Sequence, residues 1–124
     1  MFAKILPVFI GGGFGCLARF SVSRIVSFLG VFSFRVSTLF SNISSCIILG
    51  LAGGIFSEKI IPGSWLWLLI IPGFCGGFST FSAFSFETLD LLKSGNISIA
   101  LVNIFLNLAT CMLILFYLLK NSNT

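Results

Sequence analysis

The sequence predicts an all-α membrane protein of four transmembrane helices, the third broken near its middle, and leaves an antiparallel, dual-topology dimer open. Three observations predict it. Of 124 residues, 57% are hydrophobic and 8% charged, with mean hydropathy +1.16, whereas an ordinary soluble domain carries about a quarter charged residues. Four apolar segments, each near the roughly 20 residues that a bilayer crossing needs, alternate with short, turn-rich, charge-bearing stretches. Lys and Arg divide evenly between the two sides of such a chain. Residues 1–124 therefore read as one membrane domain, with no length left for a large enzyme or a nucleic-acid-binding module. The net charge of +4 does not point to nucleic acid, because the seven basic residues stand singly and read as helix-end anchors and topology signals.

The first helix is expected over about 5–29. Lys4 precedes an apolar run that continues too far, without a convincing cleavage site, for a removable leader. Gly11, Gly12, Gly13 and Gly15 give it small-x-x-x-small spacing, which lets helices approach closely in lipid. The stretch from Gly13 to Ala18 also fits the dinucleotide pattern G-x-G-x-x-A, but no strand precedes it and no acidic residue occurs before Glu58. Arg19 follows 14 uncharged residues, 5–18; a cation at that depth either snorkels or has a function.

The second helix is expected over about 37–56. Thr38, Ser41, Asn42 and Ser45 fall on one polar stripe, readable as interhelical glue or as the wall of a water-lined path. The third is expected over about 65–86, with Trp65 and Trp67 as interfacial aromatics. Gly73, Gly76 and Gly77 follow Pro72 and should break this helix in mid-membrane, where loose backbone is tolerated only if buried or lining a cavity. Phe81 and Phe84 lie three apart beyond it. The fourth helix, about 97–119, carries Asn103, Asn107, Thr110 and Cys111 on a second polar stripe. The four cysteines are spaced singly and histidine is absent, so they read as small buried hydrophobes and no thiolate metal site is expected.

An even number of crossings places Lys4, Lys59 and Lys120 on one side and Arg24, Arg35 and Lys93 on the other. The positive-inside rule returns a tie at three each. Either so few charges do not decide the matter, or the chain inserts both ways and pairs head to tail with an inverted copy.

GGGFGCLARF at 11–20, STLFSN at 37–42 and GFCGGFSTFSAFSFE at 73–87 together resemble the small Fluc (CrcB) fluoride channels of microbes, over essentially the whole chain. The resemblance implies a multi-pass protein of the cell membrane whose partners are the lipid bilayer, fluoride and a second, antiparallel subunit, identical or homologous. It implies two fluoride pores and a structural sodium ion on the dimer axis. Carried over residue by residue, Asn42 would be the pore amide, Phe81 and Phe84 the pore-lining rings, and Thr38 part of a polar track that Asn107 would share. Arg19 would be a vestibule cation, and the carbonyls of Gly76 and Ser79 would hold sodium.

The chain departs from the family pattern at Ser37 and Ser45, where Gly is frequent, at Ser79, where Thr is usual, and at Asn103 and Asn107, where Tyr and Ser are frequent. These changes would suit one partner of a heterodimer. A proton-coupled exporter like the small multidrug resistance proteins shares the length and helix count, but the first helix here has no carboxylate and the nearest candidate is Glu87.

Overall fold

The computed structural model describes residues 1–30 and 33–120, with backbone alone at 33–35; the side chain of Arg35, one of the six orientation-bearing cations, lies outside the described residues. Helix α1 spans Phe2–Phe28 and α2 spans Ser33–Gly53. Helix α3 (65–78) starts as an α-turn at Trp65–Leu68, capped by the Ser64 hydroxyl, which accepts from the Trp67 N–H at 3.2 Å. It loosens into a π-helix over Leu69–Cys75 and tightens again at Gly76–Phe78. Pro72 inside the π-helical stretch has no N–H to give to an i−4 carbonyl, and the wider i−5 register accommodates that gap. Helix α4 spans Phe81–Lys93 and α5 spans Ile97–Lys120. Taking α3 and α4 as halves of one crossing, four helical spans among the described residues are long and apolar enough to cross a membrane, the third of them Trp65–Lys93.

The third crossing continues past residue 86 because Glu87 and Asp90 ride on its last turns as ordinary helical residues. It stops where the chain supplies a left-handed residue. Gly95 (φ +84°) donates its N–H to the Leu92 carbonyl at 3.2 Å, and Asn96 donates to the Leu91 carbonyl at 2.9 Å. This is a Schellman cap, and Leu91 beneath it is fully buried.

Polarity is arranged inside out. Phe9, Phe14, Phe105 and Phe116 are exposed on the outer face, whereas Ser37, Thr38, Ser41, Ser45, Glu87, Thr88, Asn103 and Asn107 are buried. In hydrocarbon an unpaired polar group costs several kcal/mol, so most of these side chains find partners inside the fold, the buried Ser41 hydroxyl being an exception.

Helix α1 packs chiefly on α3, and glycine is what lets the two backbones meet. A Cβ at Gly11 would strike the Leu69 carbonyl, one at Gly15 the Phe74 carbonyl, and one at Gly77 would stand 2.5 Å from the Gly12 carbonyl. The glycines around Pro72 thus serve close approach to α1. The break itself falls beyond them, at Ser79 and Thr80. On the other side of the molecule Gly50 and Gly54 give way to Leu118 of α5.

Candidate functional site

The interruption between α3 and α4 organises the interior. Ser79 (φ −81°, ψ 157°) and Thr80 (φ −152°, ψ 117°) are extended, and the helix restarts with Thr80 as N-cap, its hydroxyl accepting from the Ala83 N–H at 3.2 Å. Backbone groups freed at this depth need side-chain partners, and α1 and α2 supply them. The Thr80 N–H donates to Asn42 Oδ1 at 2.8 Å, while Asn42 Nδ2 reaches the Thr80 carbonyl at 3.4 Å. Because a backbone N–H is donor only, it fixes which end of the Asn42 amide is oxygen. At the end of α3, Arg19 Nε donates to the Gly77 carbonyl at 3.2 Å, placing a cation where the helix dipole is negative. The hydroxyls of Ser45 and Ser79 both donate to the Cys75 carbonyl, at 3.1 and 2.7 Å.

From Asn42 a directional chain of hydrogen bonds crosses three helices. Asn42 Nδ2 donates to Asn107 Oδ1 at 3.1 Å, and Asn107 Nδ2 donates to Asn103 Oδ1 at 3.1 Å and to the Asn103 carbonyl at 3.0 Å. Asn103 Nδ2 donates to Thr88 Oγ1 at 3.0 Å, and Thr88 Oγ1 to the Phe84 carbonyl at 2.8 Å. With the Thr80 N–H bond to Asn42 added at its head, the chain starts and ends on the same broken crossing, so it locks α4 in rotation against α2 and α5. Thr110, on the same predicted stripe, turns back instead to the Leu106 carbonyl.

Two cavities flank the break. The smaller, about 200 Å³, is lined by Asn42, Asn107, Ser79, Thr80, Phe81 and Phe84 together with Cys46, Leu108 and Cys111. The rings of Phe81 and Phe84 are 5.6 Å apart and tilted at 50°, and an aromatic ring is positive at its edge. Phe84 is 7% exposed and Phe81 75% exposed, so the pair bridges the interior and the outer face. The larger cavity, about 320 Å³, is lined by Arg19, Thr38, Thr80 and Ala83 with Cys16, Phe20, Ser23 and Ser37. No carboxylate lines either cavity among the described residues. The smaller cavity offers the Asn42 and Asn107 amides and the larger the Arg19 cation with the Ser23, Ser37 and Thr38 hydroxyls, donors that suit a small anion.

The expected site residues therefore divide. Asn42, Asn107, Phe81, Phe84 and Ser79 share one cavity; Thr38 and Arg19 share the other. Gly76 lines neither: it lies on an exposed face with nothing within 4 Å of where a Cβ would stand. Thr38 directs its hydroxyl to Glu87 Oε1 at 2.6 Å, a short bond between two buried groups. Sequence reasoning missed two central residues. Thr80 belongs to both cavities and holds the break open, and its only signal was its place just beyond the glycine run. Glu87 looked like a segment end, yet it is buried against α2; an acid following an apolar third segment was the available hint.

Comparison with known proteins agrees with this architecture. A protein named fluoride-specific ion channel FluC from Serratia proteamaculans is 43% identical, over 88% of this chain and 85% of its own length. Fluoride-specific ion channel FluC 1 of Yersinia pseudotuberculosis is 40% identical over 98% of this chain and 97% of its own. The Coxiella burnetii protein of the first name is 35% identical over 87% and 88% respectively. The family model described as CrcB-like protein, Camphor Resistance (CrcB), matches residues 6–118, and the chain belongs to that family.

Proposed function

We infer that this chain is a subunit of a fluoride-selective channel that lets fluoride leave the cell passively and so relieves its toxicity. The observation that carries the reading is the convergence of the Asn42 and Asn107 amides, the Thr80 backbone and the Phe81 and Phe84 rings on one cavity at a broken membrane helix, in a chain whose relatives are named for fluoride. HF is a weak acid that crosses bilayers uncharged and dissociates in a neutral cytosol, trapping fluoride; an inside-negative potential then drives the anion out through any selective path. Fluoride grips its hydration water, so a pore must offer closely spaced substitute donors. A carboxylate-driven exporter fits less well, because Glu87 takes up Thr38 on α2 and lines neither cavity.

Efflux from liposomes loaded with fluoride, with chloride-loaded liposomes as control, tests the reading. Phe81→Leu and Phe84→Leu separate ring chemistry from packing. Volume-conserving apolar swaps cost less than about 1.5 kcal/mol in cores, and Phe81 contributes little buried area within the chain. Efflux reduced at least tenfold in Phe81→Leu, with an unfolding midpoint near the parent's, is the expected result; unchanged efflux would make the rings simple filler.

Assembly with a second, antiparallel subunit, identical or homologous, belongs to the same proposal. The three-to-three cation balance supports it, as do the outward Phe81 ring and the open Gly76 face. A sodium ion at that junction fits the donor set: the break leaves the Gly76 and Ser79 carbonyls without a backbone donor among the described residues, and carbonyl oxygens are hard ligands for a hard cation. Bound there, sodium would supply positive charge between carbonyl dipoles that otherwise repel across a subunit boundary. Rigorous exchange of sodium for N-methylglucamine is expected to slow efflux and to lower dimer stability together. Both unchanged would remove sodium from the assembly.

A further inference from the structure

Two thiols that looked solitary in the sequence come together. Cys46 lies one helical turn beyond Asn42 on α2, and Cys111 one turn beyond Asn107 on α5. Asn42 and Asn107 are hydrogen-bonded across the helix pair at 3.1 Å, so residues four further along each helix face one another as the next rung. Both residues are half-buried and free of disulfide, and both line the 200 Å³ cavity. Cys75 comes near but directs its own thiol to the Ser45 carbonyl at 3.7 Å.

We propose that Cys46 and Cys111 form a two-thiolate site for a soft d10 cation, of the class of Cu(I), Ag(I) and Hg(II), in the wall of that cavity. Thiolate pairs select soft metals, and d10 ions of this class accept linear two-coordination. Zn(II), which takes four ligands in a closed site, is poorly served, since no group of three or more Cys, His, Asp or Glu placed to hold a metal occurs among the described residues. With Hg(II) the step balances without an oxidant: two S–H bonds break, two S–Hg bonds form, and two protons leave to the cavity water. The product is uncharged, which suits a weakly polar surrounding. That such a cation also stops ion passage rests on the channel reading above; the binding itself does not.

The probe is Hg(II) on the purified full chain, followed by extensive dialysis against a monothiol competitor. Metal content and the ultraviolet S–Hg charge-transfer band are then measured. One tightly held Hg(II) per chain is expected in the parent, in Cys16→Ala and in Cys75→Ala. Cys46→Ser and Cys111→Ser, which keep side-chain size, should each hold it at least tenfold more weakly. Retention by both Ser variants equal to the parent's, or loss in Cys75→Ala alone, overturns the site. In liposomes, Hg(II) should arrest efflux by the parent and a dithiol should restore it, with each Ser variant inhibited less relative to its own rate. Binding at the pair without arrest upholds the site and counts against conduction through this cavity, so the two readings fail separately.

Discussion

Asn42→Asp is expected to lower fluoride efflux about a thousandfold while leaving the chain folded. An anion passing about 4 Å from a fixed carboxylate meets about 4 kcal/mol of repulsion at an effective dielectric constant near 20, and each 1.36 kcal/mol is tenfold in rate. The fold should withstand the change, because an aspartate oxygen still accepts from the Thr80 N–H, the shortest of the three bonds that Asn42 makes. What the variant loses is donation to Asn107 Oδ1 and the longer one to the Thr80 carbonyl, and Asn107 cannot turn its amide round without giving up both of its bonds to Asn103. Asn42→Ala behaves in the opposite sense. It strips the acceptor from Thr80 and the donor from Asn107, and each orphaned buried partner costs about 1–3 kcal/mol, so a loss of about 2–6 kcal/mol in stability is expected, with no charge left in the path. Stability should therefore run parent, Asn42→Asp, Asn42→Ala, while efflux from the folded fraction runs parent, Asn42→Ala, Asn42→Asp. If the two orders coincide, Asn42 serves only as a structural clasp. Thermal unfolding in lipid and single-time-point efflux on the same preparations decide it.

The contrast between these two roles shows how far the residues could be read without coordinates. Hydropathy alone marks the four spans, since each needs some 20 apolar residues and little else, and spacing of three and four puts Asn42 and Asn107 on interior stripes. The break of the third span is different in kind. Glycines after Pro72 look like the weak point, but in a bilayer a glycine has no water to turn to, so the helix persists through them, widened at Gly73 and tight again at Gly76 and Gly77, and uses the missing side chains of Gly73 and Gly77 to meet α1. The chain opens where substitute partners wait: Asn42, 38 residues away, for Thr80, and Arg19, 58 residues away, for Gly77. No local pattern encodes such distant partners. The same holds for Cys46 and Cys111, whose pairing follows only once Asn42 and Asn107 are known to bond across α2 and α5.

The glycines of α1 supply the second large effect, and they do so selectively within one short motif. At Gly11 and Gly15 an added methyl would lie inside contact distance of main-chain carbonyls of α3. A backbone carbonyl cannot swing aside as a flexible side chain does, so relief requires α1 and α3 to part. Parting them would also lengthen the Arg19 to Gly77 contact that finishes α3. Overpacking of this kind costs about 1–3 kcal/mol per site and sometimes more; the two positions share one seam, so Gly11→Ala with Gly15→Ala is expected to cost less than the sum of the singles but still to leave no monodisperse protein. Gly12 and Gly13 are the internal controls. A methyl at Gly12 would make an ordinary 3.8 Å contact with the Gly73 carbonyl, and one at Gly13 would meet nothing within 4 Å of this chain. Alanine is favoured over glycine in a helix by about 1 kcal/mol, so Gly12→Ala should be neutral or slightly stabilising. Gly13→Ala should behave likewise in an isolated chain; a loss of stability there that appears only in the assembled protein would locate the partner subunit against the exposed side of α1. Size-exclusion profiles after graded heating separate these cases. Equal tolerance of alanine at all four positions would mean that α1 and α3 do not approach as closely as their glycines allow.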